Sequence, residues 1–158
     1  MESLRVEANR QVSKLVIRGV PDRPGIAAEI FGIVGTKGFN VELVVTTGGT
    51  RGEAEICLAV SSGEDEAVRT TLDALRDELQ ASSIELDKDV ALISVIGSNL
   101  SKVPGVAGRM FKALSARGVN IDVISTSLSS VTCMIPEDRT EPAIAALEGE
   151  FLDDRRES

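Results

Sequence analysis

The sequence predicts an α+β protein built from two small modules, each an antiparallel sheet with helices on one face. Three observations carry that prediction. The first is a repeat: Pro24, Gly25, Ala27, Phe31, Gly38 and Asn40 recur as Pro104, Gly105, Ala107, Phe111, Gly118 and Asn120 at one constant spacing of 80 residues. A shared spacing without gaps over so many positions marks a duplicated unit. The second is that stretches of apolar period 2 and period 3.6 follow in the same order in both copies. The third is size: 158 residues, 42% of them hydrophobic, divide into two units of roughly 75 residues, whose thin cores need a neighbour to pack on.

In the first copy, residues 4–8 alternate apolar and polar, Asn9, Arg10 and Gln11 interrupt, and residues 12–19 resume as a longer strand. Pro24 suits the first turn of a helix, with Asp22 or Arg23 as its cap. Ile26, Ala27, Ile30, Phe31 and Val34 form the apolar stripe of that helix, and Gly38 ends it. Residues 40–47 and 54–60 are strands joined by a turn at 48–52, an antiparallel hairpin with Ile56, Leu58 and Val60 on one face. Ser62, with Asp65 three residues on, resembles a capping box opening a helix buried through Val68, Leu72, Leu75 and Leu79. Ile84 and Leu86 make a closing strand, so residues 12–88 read β-α-β-β-α-β, a split pair of βαβ units of the ferredoxin-like kind.

The second copy opens with a strand at 90–97 and reaches its Pro104 by a connection two residues longer. Val106, Ala107, Met110, Phe111 and Leu114 repeat the first stripe, strands follow at 120–127 and 131–135, and Thr140, Glu141 and Pro142 start a helix buried through Ile144, Leu147 and Phe151. Residues 152–158 are a charged tail, so this copy, 90–151, has no closing strand of its own. The N-terminus has one to spare. Because an open sheet edge is a liability that proteins cover, residues 4–8 are expected to close the second sheet.

Composition narrows the function. A net charge of −8 and a pI near 4.6 argue against nucleic acid and against an anionic membrane. No apolar run approaches the ~20 residues a spanning helix needs, and residues 1–5 lack a signal-peptide core, so the chain reads as cytoplasmic. With no His, imidazole bases, His-containing triads and most zinc sites are excluded; no catalytic residue, metal site or cofactor is expected. Cys57 and Cys133, at similar places in the two copies, read as reduced buried thiols. Few aromatics and no Tyr or Trp count against a base-stacking RNA domain of the same topology.

The stretch from Leu15 through Val20, Pro21, Asp22, Arg23, Pro24, Gly25, Ile26 and Ala27, followed by Gly38-Phe39-Asn40-Val41, resembles the first of the paired ACT domains of the aspartate kinase family. Ile93 to Gly97, Pro104-Gly105-Val106-Ala107, Met110 to Leu114, Gly118-Val119-Asn120-Ile121-Asp122 and Ile124-Ser125-Thr126-Ser127 resemble the second. The resemblance covers nearly the whole chain and touches the regulatory part of that family, its β subunit, not the catalytic part. It implies two ACT modules, the N-terminal strand in the second sheet, a homodimer, a catalytic kinase subunit as partner, and threonine or lysine bound as feedback inhibitor where ACT domains meet.

Carried over by position, it points to Asp22, Arg23, Gly25, Ile26 and Ala27 with Val45, Thr46 and Thr47 in the first module. In the second it points to Pro104, Gly105, Val106, Asn120, Ile121, Ser125, Thr126 and Ser127. A helix start supplies N–H donors for a ligand carboxylate, glycines let backbone approach, and strand carbonyls or hydroxyls accept its ammonium. Two departures remove polar contacts: Thr46-Thr47 stand where many first ACT domains have Gln-Asn, and Leu128 follows Ser127 where Glu is usual.

Blander roles stand beside these. Pro24-Gly25 and Pro104-Gly105 serve as helix-entry punctuation, Asp22 equally as a helix cap, and 125–127 as strand residues before a turn. Gly48-Gly49 lacks the Lys-Ser or Lys-Thr of a phosphate loop and reads as a hairpin turn. Two functions remain: a non-catalytic amino-acid-binding regulatory pair, or an assembly module whose ligand site is altered or vestigial.

Overall fold

The computed structural model describes residues 4–48 and 51–152. They fall into two compact units, one formed by residues 11–88 and the other by residues 4–10 with 89–152. The first strand, β1 (Arg5–Asn9), belongs to the second of these units.

In the unit 11–88, the order is β2 (Val12–Pro21), α1 (Ile26–Thr36), β3 (Val41–Gly48), β4 (Glu53–Ser61), α2 (Asp65–Ala74), α3 (Arg76–Leu79) and β5 (Ser83–Asp87). The strands form one antiparallel sheet ordered β3-β4-β2-β5. Alternation sends Leu15 and Ile17, Ile56, Leu58 and Val60, and Ile84 and Leu86 to the helix side, where they pack on Ile30 and Val34 of α1 and Val68 and Leu72 of α2. The hairpin of β3 and β4 is as expected; Gly49 and Thr50 of its turn lie outside the described residues.

A bulge in β2 lets Ile17 and Val20 both reach this core, since the register against β4 shifts between them. Gly19 makes it possible with φ 70, and Arg18 accepts from the Ser82 N–H through its carbonyl at 2.8 Å. On the other face the Arg18 side chain bridges Glu55 of β4 and Glu85 of β5.

Two local expectations are corrected. The first helix is capped by Gly25, at φ 94, and not by Asp22 or Arg23; Pro24 precedes the cap. The second helix begins at Asp65 without a Ser62 cap, because Asp65 is buried and its carboxylate accepts from the Ser13 hydroxyl at 2.7 Å and the Glu66 N–H at 2.7 Å. That helix also breaks at Leu75 into α2 and α3.

In the second unit, β6 (Val90–Ile96), α4 (Val106–Ala116), β7 (Val123–Thr126), β8 (Ser130–Pro136) and α5 (Thr140–Phe151) join β1 in a sheet ordered β1-β6-β8-β7. β1 closes it, pairing antiparallel from Arg5 opposite Ile96 to Asn9 opposite Leu92, with Leu4 and Val6 against the core. The longer connection is a 3-10 turn at Leu100–Lys102 whose Leu100 is buried. β7 is shorter than expected, so Asn120 and Ile121 fall in the loop before it. Arg109 ties α4 to α5, donating to the Glu150 carboxylate at 2.8 Å and lying over the Phe151 ring at 4.7 Å. Of the charged tail, residues 153–158 lie outside the described residues.

Neither cysteine is in a disulfide and both are buried, on opposite faces of their sheets: Cys133 lies in the helix-side core, whereas Cys57 alternates with the helix-side Ile56 and Leu58. Burial pushes the Cys133 thiol up to about 12.

Gly19→Ala is expected to cost at least about 2 kcal/mol in urea unfolding, combining left-handed strain with overpacking. An added β-carbon would sit 2.8 Å from Cβ of Ser82. For Cys133 the unfolded thiol, near about 8.5, loses its proton before the folded one, so stability falls as pH rises above that value. Wild type should lose up to about 1.4 kcal/mol per pH unit more than Cys133→Ala, measured by urea midpoints above about pH 9.

Candidate ligand-binding site

The loop after β2 is held by backbone. The Asp22 N–H donates to the Gly52 carbonyl at 2.8 Å, and the Arg23 N–H to the Pro21 carbonyl at 3.0 Å. Gly25 then turns the chain into α1: the Ile26 N–H reaches the Arg23 carbonyl at 3.3 Å and the Glu29 N–H the Gly25 carbonyl at 2.9 Å. Ile26, buried, pins the helix start to the core. Among the described residues, the N–H groups of Ala27 and Ala28 have no backbone acceptor, as expected of a helix's first turn.

The sheet register brings the end of β3 to this loop. Gly48 lies opposite Ala54 of β4, and Ala54 opposite Val20 of β2. A β-carbon built on Gly48 would lie 3.3 Å from Oδ2 of Asp22. So the structure unites Asp22, Gly48 and the start of α1 at one end of the sheet. The Asp22 carboxylate is exposed and has no hydrogen-bond partner among the described residues, and no side chain caps α1. The cap role is therefore not filled by Asp22.

The other first-module candidates are distributed differently. Arg23 is engaged by Glu29 at 2.6 Å. Thr46 stands opposite Ile56 and shares its helix-side face, whereas Val45 and Thr47, opposite Cys57 and Glu55, face the other way. Thr46 and Thr47 are exposed and Val45 half-buried.

The second unit repeats the backbone but not the chemistry. Gly105, at φ 82, caps α4 after exposed Pro104, and Val106 is buried. At the spacing of 80 residues the counterpart of Asp22 is Lys102, an exposed cation. Ser127 is used by its own hairpin: its hydroxyl lies 2.9 Å from that of Ser130 and accepts from the Ser129 N–H at 3.3 Å. Leu128 at the tip is 75% exposed. Ser125 is half-buried opposite Thr132, and Thr126 exposed opposite Val131. Asn120 and Ile121 precede β7, whose first residue, Val123, pairs with Met134 towards the far end of the sheet from Thr126. At about 3.3 Å per residue β7 spans about 10 Å, with Asn120 and Ile121 beyond its start and Ser127 beyond its end.

Gly48 and Lys102 were not singled out from sequence as site residues. The constant spacing is the signal that finds Lys102; the proximity of Gly48 to Asp22 needs the strand register. Among the described residues no group of three or more His, Cys, Asp or Glu could hold a metal ion, and no helix is long and apolar enough to cross a membrane.

Comparison with known proteins adds to this geometry. Family models described as the ACT domain match residues 15–80 and 93–151. The chain is 34% identical over 143 residues to an aspartate kinase of Pseudomonas fluorescens, an alignment covering 90% of this chain and 35% of that protein. It thus spans about a third of the length of the curated relatives it matches. Among solved structures, the crystal structure of aspartokinase alpha and beta subunits matches with a TM-score of 0.86 and 29% identity, over 93% of this chain and 97% of that one. The ligand-free regulatory subunit of aspartate kinase from Thermus thermophilus matches with a TM-score of 0.87 and 26% identity, over 92% and 96%.

Two glycines at this end should respond differently to alanine. Gly25→Ala, at φ 94, is expected to cost about 1–2 kcal/mol. Gly48→Ala meets only an exposed carboxylate that can turn aside and is expected to shift stability by less than about 0.5 kcal/mol; urea unfolding of both variants checks the contrast.

Proposed function

This chain belongs to the ACT-domain family, and from that premise we propose that it is a non-catalytic regulatory pair of ACT domains. In this reading it binds a free amino acid of the threonine or lysine class and gives feedback control to an aspartate kinase or a related enzyme of amino-acid biosynthesis. The observation that carries the reading is Asp22 of the loop that opens α1, an exposed carboxylate without a hydrogen-bond partner among the described residues, set against the bare backbone of Gly48 at the end of β3. The near-complete alignment with the regulatory subunit of a solved aspartate kinase supports it.

Asp22 takes the ligand's ammonium, while the N–H groups of Ala27 and Ala28 and the positive end of α1 favour its carboxylate. Gly25 and Ile26 shape the approach, and Val45, Thr46 and Thr47 line the strand that ends beside it. Arg23 acts indirectly, because Glu29 holds it. Pro104, Gly105, Val106, Ser125 and Thr126 form the counterpart in the second module, with Ser127, Asn120 and Ile121 at its margins. For the ligand to regulate, it must bind two conformations unequally. The protein acts in the cytoplasm, as a homodimer and with a catalytic kinase subunit as partner.

A second reading, an assembly module with an altered ligand site, is favoured by the second module's own features: Ser127 is spent on its turn, Leu128 is exposed and Lys102 replaces the carboxylate.

Calorimetric titration with threonine, lysine and the other common amino acids separates the two. A regulatory pair binds at least one of them, and Asp22→Asn weakens that binding at least about tenfold, as expected when a charge-assisted hydrogen bond is lost, without changing the unfolding midpoint. No heat with any amino acid from a folded sample leaves only the assembly reading.

A further inference from the structure

The chain passes between the two units twice, and the strands on either side of the two crossings keep one register. β1 pairs with β6 from Arg5 opposite Ile96 to Asn9 opposite Leu92, and β2 pairs with β5 from Lys14 opposite Asp87 to Arg18 opposite Ser83. In every pair of both sets the two residue numbers add to 101. The chain therefore takes as many steps from Asn9 to Lys14 as from Asp87 to Leu92. Flexible linkers obey no such rule, because their lengths are free to differ.

Nor do the crossings have the composition of linkers. Neither 9–14 nor 87–92 contains Gly or Pro. Each crossing is also fastened up to a single peptide bond. Arg10 reaches Glu141 at 2.9 Å, and the Asp89 carbonyl accepts from the Glu137 N–H at 3.0 Å, both within the unit that holds β1. The Gln11 carbonyl accepts from the Ser62 N–H at 2.9 Å, and Lys88 reaches Glu66 at 3.0 Å, both within the unit 11–88. What remains as a joint is the bond from 10 to 11 and the bond from 88 to 89.

Slippage is opposed on both sides of that joint. Leu4 and Val6 sit in one core and Leu15 and Ile17 in the other, so moving the strand by one residue would turn apolar side chains out of a core. Strain at one set of pairs has no slack to disappear into. Rigid hydrogen-bonded elements of this kind are what carries coupling between distant parts of a protein.

We propose that residues 5–18 and 83–96 act as one two-stranded antiparallel ribbon, and that this ribbon couples the stabilities of the two units. Loosening β2 and β5 in the unit 11–88 loosens β1 and β6 in its companion. β2 also runs on into the loop that carries Asp22, so the ribbon gives a change at that loop a route to the second sheet. The coupling needs only register and joints, and it stands whether or not an amino acid binds.

Hydrogen exchange of the ¹⁵N-labelled full chain, followed by NMR, tests it in Val68→Ala. Val68 is buried on α2, outside both strands, and its truncation makes the unit 11–88 open more often. Protection of the paired amides of β2 and β5 is expected to fall at least about tenfold, and that of β1 and β6 to fall with it. A second chain carries two glycines inserted between Lys88 and Asp89, which lengthens one crossing and not the other. There Val68→Ala should still expose β2 and β5 but change protection in β1 and β6 less than about twofold. Circular dichroism confirms that each chain is folded, with one inserted glycine replacing two if two are not tolerated. Amides of β1 and β6 that ignore Val68→Ala in the chain of native length overturn the coupling. A response of undiminished size in the lengthened chain overturns the ribbon as its route.

Discussion

The pairing of β1 with β6 is the constraint on which the architecture depends. The second repeat contributes three strands to its sheet, β6, β8 and β7, and β6 carries Ile93 and Val95 into the core between β8 and whatever lies on its other side. Five residues from the very start of the chain fill that side, in a register that lets Val6 join the same core. The unit 11–88 is therefore inserted, in sequence terms, between the first and second strands of its companion's sheet. Closing that sheet needs contacts about 85 residues apart, an entropic cost that grows slowly with loop length but delays the step in folding.

Within this frame the duplication has kept backbone and changed side chains. Gly25 and Gly105 cap their helices at φ 94 and 82, and Gly38 and Gly118 end them at φ 75 and 68. These positions answer to conformation, which a copy must reproduce in order to fold. The positions around them answer to chemistry, and there the copies part: Asp22 against Lys102, and Glu29 against Arg109. One unit consequently offers a carboxylate at its loop end and an open groove between its helices. The other offers a cation and a closed helix pair.

How much of this the sequence disclosed follows from which forces are local. Apolar stripes on α1, α2, α4 and α5, and the alternation in β4, depend on periodicity alone, and they placed Ile30, Val34, Val68, Leu72, Ile56, Leu58, Val60, Met110, Leu114 and Leu147 in the two cores. The strand count was enough to assign β1 to the second sheet. The features that were misjudged are decided at long range or by backbone geometry. Ser62 and Asp65 look like a cap and its partner, but Asp65 is claimed by Ser13, more than 50 residues earlier. Asp22 looks like the cap of α1, but Gly25 can adopt a left-handed conformation and takes that place. Asn120 and Ile121 look like the start of a strand that runs to Ser127, but they lie in the loop before a four-residue strand. The nearness of Asp22 to Gly48 depends on the registers of two strand pairs and has no signature in either residue.

The central claim is that an amino acid is recognised at the end of the first sheet by Asp22 and the start of α1. Amide chemical shifts of the ¹⁵N-labelled chain, followed during titration with the amino acid that calorimetry selects, test it most directly. The account predicts shifts concentrated at Asp22, Ala27, Ala28 and Thr46 to Gly48, and their loss in a chain carrying Asn at position 22. Saturable shifts that leave these amides unmoved and fall elsewhere would contradict it.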